Sequence, residues 1–97
     1  MIASDKFAKF DVSIVVPALD MEDYMPELLN SVESQTLLPR EIVIVDSSET
    51  NRTAEIVAKW VGIVPISYHN VDLALPGRAR NIGVKESKGE WIAFLDC

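Results

Sequence analysis

Four short apolar runs in this chain each deliver polar residues with chemical potential. "PALD" (17–20) follows the first, "DSSET" (46–50) the second, "HNVD" (69–72) the third and "DC" (96–97) the fourth. Asp46 and Asp96 stand out because each follows directly on its run, so a strand ending there holds the carboxylate rigidly. A carboxylate so placed can accept hydrogen bonds from a nucleobase or a ribose hydroxyl, or help hold a divalent cation through hard oxygen ligands. Asp20 and Asp72 stand farther from their runs, where Asp is a common cap and turn former, and both are read that way. His69, the only histidine, is read as a turn residue at a strand end. Trp60 and Trp91 continue apolar stripes and are expected in the core.

The elements that must position these groups alternate. "VSIVV" (12–16), "EIVIV" (41–45), "VPISY" (64–68) and "WIAFL" (91–95) are each about five residues long, rich in β-branched or aromatic types and bounded by turn formers, which reads as strands buried on both faces. Between them lie segments with helical spacing. Met25, Leu28, Leu29 and Val32 line one face of the first, with Pro26 in its opening turn. Ile56, Val57, Trp60 and Val61 line the second, with Thr50 or Thr53 available as its cap. The third, "GRARNIGVKES", turns Ala79, Ile82 and Gly83 inward and meets Gly89 as its terminator. The predicted class is α/β, a Rossmann-like parallel sheet of about four strands with helices on both faces. Ligands of such sheets bind in the crevice beyond the carboxyl ends of the strands, where the polar residues stand.

Composition narrows the partners. Ninety-seven residues suit one small domain, and 48% apolar with 25% charged residues is a globular composition. The net charge is −6 and the nine Lys and Arg are scattered, so no basic block follows a phosphate backbone and nucleic acid is not the expected partner. The single cysteine, Cys97, has no internal disulfide partner, and no window reaches the roughly 20 apolar residues of a membrane-spanning helix. The expected location is cytoplasmic. Neither G-x-G-x-x-G nor G-x-x-x-x-G-K-[ST] is present, which argues against a glycine-rich phosphate cradle.

The succession "VSIVVPALD", "SVESQTLLPREIVIVDSSET", "PGRARNIGVKESKGEWIAFLD" resembles the N-terminal half of a family 2 glycosyltransferase with the GT-A fold. The likeness rests on the family's motifs in order: a strand ending in a Pro-x-Tyr-Asn-like turn (here "PALD"), a helix closing with Ser-x-x-x-Gln-Thr, a strand ending in Asp-Asp/Ser-x-Ser-Thr (here "DSSET"), then Ala-Arg-Asn-x-Gly, then Lys-Gly-Glu-aromatic leading to Leu-Asp-x-Asp, of which "LDC" is the start. The resemblance implies a site for a nucleotide-diphosphate sugar. Pro17, Ala18 and Leu19 would line the base pocket, Asp46 and Ser47 would contact base or ribose, and Arg80 would lie near the nucleotide. Asp96 would be the first carboxylate of an Asp-x-Asp motif that works with Mg²⁺ or Mn²⁺ to neutralise the leaving diphosphate. Three positions depart from the family pattern: Leu19 where many members have tyrosine, Asp20 for asparagine, and Ser47 for a second aspartate.

The resemblance also implies that residues 1–11 are an N-terminal extension and that 12–97 are the nucleotide-sugar-binding half of a glycosyltransferase domain, cut inside the Asp-x-Asp motif. The expected parent activity is hexosyltransferase-like transfer with inversion to an unidentified glycan, lipid or protein acceptor, its general base in the other half, while these residues alone are expected to be inactive. The competing expectation is a small α/β binding or protein-interaction module in which Asp46 and Asp96 are turn residues. Either way, the apolar last strand is expected to leave an open sheet edge through which two copies pair.

Overall fold

The computed structural model describes residues 9–72 and 76–95. Strands β1 (Lys9–Ala18), β2 (Leu38–Asp46), β3 (Ile66–Asn70) and β4 (Trp91–Phe94) alternate with helices α1 (Met25–Glu33), α2 (Arg52–Lys59) and α3 (Pro76–Glu86). Every pairing is parallel and the strand order is β3-β2-β1-β4. The chain therefore steps outward from β1 to β3, then crosses back over the sheet to lay β4 on the other side of β1. With right-handed crossovers, that reversal puts α1 and α2 on one face and α3 on the other. The observed packing has this arrangement.

The side chains of β1 and β2 alternate between two cores, which is why their stretches 14–18 and 42–45 are continuously apolar. Val16, Ala18, Ile42 and Ile44 face Met25, Leu29 and Val32 of α1, while Val15, Val43 and Val45 face Ala79 of α3. Burying side chains of this kind contributes about 1.5–3 kcal/mol apiece. Helix α3 packs close to β1 because Gly83 has no side chain; a Cβ there would collide with Val15 Cγ1. The inward face expected for α3 is observed, with Ala79 and Gly83 buried and Ile82 half-buried.

Several expectations are corrected. The third strand runs two residues later than 64–68, because the Glu33 carboxylate takes the N–H groups of Ile63 and Val64 (3.0 and 2.9 Å) and Pro65 has no N–H to give a ladder. His69 thus lies inside β3, opposite Val45, and not in a turn. Helix α2 ends at Lys59 with Trp60 extended, so Trp60 is half-buried but Val61 falls off the stripe and is 93% exposed. Neither Thr50 nor Thr53 caps it; Asn51 holds the cap position without a side-chain hydrogen bond, and Thr53 is buried in the first turn. Trp91 is 67% exposed on β4 and not a core aromatic, since β4 is an edge strand that pairs only with β1 among the described residues.

Gly89 does not terminate α3 either, which stops at Glu86. Its role is close approach, as a Cβ would stand 2.7 Å from both Ser13 N and Ser13 Oγ. The Gly89 N–H donates to Ser13 Oγ (2.8 Å), and Ser13 Oγ donates to Glu41 Oε2 (2.7 Å), which also accepts the Lys88 N–H (2.6 Å). This buried polar cluster fixes the turn from α3 into β4 and, with it, the register of β4 on β1.

Candidate nucleotide site at the strand ends

In a 3-2-1-4 order the chain reverses direction between β1 and β4, and the crevice beyond the carboxyl ends of those strands is the place an open α/β sheet offers to a ligand. Asp46, the last residue of β2, lies opposite Ala18, the last residue of β1. Its side chain is fully buried and its two oxygens are used differently. Oδ1 accepts the Ser48 N–H (3.0 Å) and the Ser48 hydroxyl (2.6 Å), while Oδ2 accepts the Tyr68 phenol. Satisfying a buried carboxylate in this way is what makes its burial tolerable.

The network spreads from there into both loops. Ser48 Oγ accepts the Asp20 N–H (2.6 Å), and the Ser47 N–H donates to the Ala18 carbonyl (2.9 Å), so the segment after β1 is tied to the segment after β2. Asp20 has φ 54°, a left-handed conformation that Asn and Asp adopt more readily than most residues, which accounts for its type at this bend. The amide of Asn70 donates to the Asp46 and Ser48 carbonyls (3.2 and 3.4 Å), and the Val71 N–H donates to the Asp46 carbonyl (2.9 Å). Burial, and next the bond to Asp46, push the Tyr68 phenol up to about 12, partly opposed by Asn70.

Among the anticipated site residues, Ala18, Asp46 and Ser47 are brought into this one network. Pro17 pairs with Val45 one step back in β1, and Leu19 follows Ala18 with 48% of its surface exposed. Arg80 extends from α3 over the ring of Phe94, 5.8 Å from its centroid, at the end of β4. Asp96, with its anticipated metal role, and Cys97 lie outside the described residues. Among those described, no group of three His, Cys, Asp or Glu comes together to hold a metal ion, and no helix is long and apolar enough to cross a membrane. Ser48, Tyr68 and Asn70 are the network members that sequence reasoning missed. Tyr68 and Asn70 could have been found by starting the third strand after Pro65, because period-two alternation then puts Ile66, Tyr68 and Asn70 on one face.

Residues 13–97 match the family profile "Glycosyl transferase family 2". The chain is 35% identical over 89 residues to the poly(ribitol-phosphate) beta-N-acetylglucosaminyltransferase TarS of Staphylococcus aureus, a match covering 87% of this chain and 15% of that protein. It is 36% identical over 92 residues to a poly(ribitol-phosphate) beta-glucosyltransferase of Bacillus spizizenii, covering 88% of this chain and 14% of that one. Among solved structures, S. aureus TarS 1–349 superposes with a TM-score of 0.77 at 33% identity, over 88% of this chain and 26% of the TarS chain. The same protein in complex with UDP gives 0.76. The chain thus spans about 15% of the length of these curated relatives. The profile match, the identities and the shared parallel sheet make it a member of glycosyl transferase family 2.

Proposed function

We propose that this chain is the nucleotide-binding part of a glycosyltransferase that draws its sugar from a nucleotide-diphosphate donor. The observation that carries the reading is the Asp46 network at the strand ends, a carboxylate fixed by two loops and a neighbouring strand at the crevice where such sheets take ligands. The UDP complex of the TarS neighbour supports a nucleoside diphosphate as ligand. Pro17, Ala18 and Leu19 line the base side, Asp46 and Ser47 meet the base or ribose, and Arg80 reaches the nucleotide from α3. Asp96 belongs to the same proposal as the carboxylate that helps hold Mg²⁺ or Mn²⁺, and it is the sole basis for the cation. Hexosyltransferase-type transfer with inversion to a glycan, lipid or protein acceptor is the parent activity, with these 97 residues binding nucleotide and not turning it over.

The test is titration of UDP and of GDP, each with Mn²⁺ or Mg²⁺, into the 97-residue chain, followed by amide NMR with diamagnetic Mg²⁺ for the mapping. Shifts confined to residues 17–20, 46–49 and the start of α3 are expected. No shift at millimolar nucleotide would replace this reading with a binding or interaction module. Self-association through β4 belongs to the proposal as well, since Trp91, Ala93 and Phe94 are exposed on this edge strand. Light scattering checks it, and a monodisperse monomer at high concentration would rule it out.

A further inference from the structure

The Asp46 carboxylate has no surface open to solvent, so a base cannot reach it in the arrangement observed. One of its partners must yield. Ser48 is poorly suited to do so: it donates to Oδ1 through both N–H and hydroxyl, and the same hydroxyl holds the Asp20 N–H, so moving it would undo the link between two loops. Tyr68 is different. It stands on the edge strand β3, is half-buried, and touches the carboxylate through one hydroxyl at the end of a side chain with two rotatable bonds. Swinging the phenol away breaks its bond to Oδ2 and a long 3.5 Å contact from Asn70 Nδ2 and shifts the ring's packing against the core under α1 and α2, and leaves every backbone bond in place.

We propose that Tyr68 is a displaceable stand-in for the nucleoside: its hydroxyl occupies on Asp46 Oδ2 the place that a base with a ring N–H takes, and binding requires the phenol to leave. The inference rests on the reading of Asp46 as a nucleoside contact. Uracil, with N3–H flanked by carbonyls, has the donor the vacated oxygen accepts. Cytosine has a lone pair at the same ring position, cannot take over the bond, and therefore leaves the phenol on Oδ2. Binding to the wild-type protein therefore trades one hydrogen bond to a charged oxygen for another. In Tyr68→Phe the first bond is already missing and Oδ2 waits without a donor.

The experiment is calorimetric titration of the wild-type chain and of Tyr68→Phe with UDP, uridine and CDP. In parallel, the ¹³C-labelled Tyr68 ring is followed by NMR in the wild-type chain. The variant is expected to bind UDP and uridine about tenfold more tightly than wild type, with CDP unchanged, and the wild-type Tyr68 ring signals should move with the Ser48 amide as UDP saturates. A purely structural tyrosine would give equal or weaker binding of all three, and equal or weaker UDP binding by the folded variant overturns the proposal while leaving the nucleotide site standing. If the variant does not fold, the wild-type ring decides, and Tyr68 signals that stay fixed while the Ser48 amide shifts overturn it. Absence of UDP binding by both proteins overturns this proposal and the nucleotide reading together.

Discussion

Strand β2 carries two buried carboxylates, Glu41 near its start and Asp46 at its end, and they are held in opposite ways. Glu41 Oε2 is bound by the Lys88 N–H and by Ser13, which itself accepts the Gly89 N–H, so its partners are backbone groups of a tight turn and a side chain from the central strand. Asp46 gives one oxygen to Ser48 and the other to a phenol on the edge strand. Nothing about the first arrangement can change without remaking the entry to β4. The second has one member free to turn away. Two buried acids in the same strand thus differ in the mobility of their donors: Glu41 is a staple, and Asp46 is the one proposed as a nucleotide contact.

The comparison can be broken most forcefully at the staple. Glu41→Ala strands the Lys88 N–H and removes the acceptor of Ser13, and the expected loss is roughly 3 kcal/mol at about 1–3 kcal/mol per buried group left unpaired. Urea denaturation measures it, and a loss below about 1 kcal/mol would mean that the turn finds other partners. Asp46→Asn is expected to weaken UDP binding about tenfold or more, the range for losing a hydrogen bond to a charged group, at a smaller cost in stability. Calorimetric titration checks the first and urea denaturation the second, and unchanged affinity would remove Asp46 from the site.

A finer distinction comes from pH. The Tyr68 proton is held more tightly in the fold (about 12) than in the unfolded chain (about 10), so the native state binds more protons between these values. The stability attached to this group is complete below about pH 10 and is lost as pH rises toward about 12. Tyr68→Phe should lose part of the decline in melting temperature that wild type shows across this window, and identical profiles would deny the linkage. The smallest effect belongs to the exposed Arg40–Asp11 pair (3.0 Å), where Arg40→Ala should cost under about 0.5 kcal/mol and less still in high salt, as measured by urea denaturation.

The staple and the site were not equally legible in the amino-acid sequence. Alternation of apolar runs with helical stripes is local information, and from it the sheet, its helices and the placement of Asp46 at a strand end could be read. The partners of Asp46 could not. Tyr68 and Asn70 reach it from 22 and 24 residues away, and their strand is displaced by Glu33, whose side chain claims the N–H groups of Ile63 and Val64 from a third element. The role of Glu41 was hidden for a similar reason, because "EIVIV" reads as a buried strand without showing that Ser13 and Lys88 stand beside its acid. Trp91 misled in the other direction: its type suits a core, but its strand is at the edge of the sheet.

The strand order also has a consequence during synthesis. β1 lies inside the sheet yet is made before the other described strands, and the neighbour on one of its sides, β4, is made after them. At roughly 5–20 residues per second, the ribosome takes about 4–15 s to proceed from the end of β1 to the end of β4. For that interval one flank of an apolar strand stays open while β2 and α1 are already available to the other. The nascent chain is therefore most prone to mispairing at β1 before β4 emerges, and a factor that shields β1 during this interval would raise the yield of folded protein without altering the stability of the finished fold.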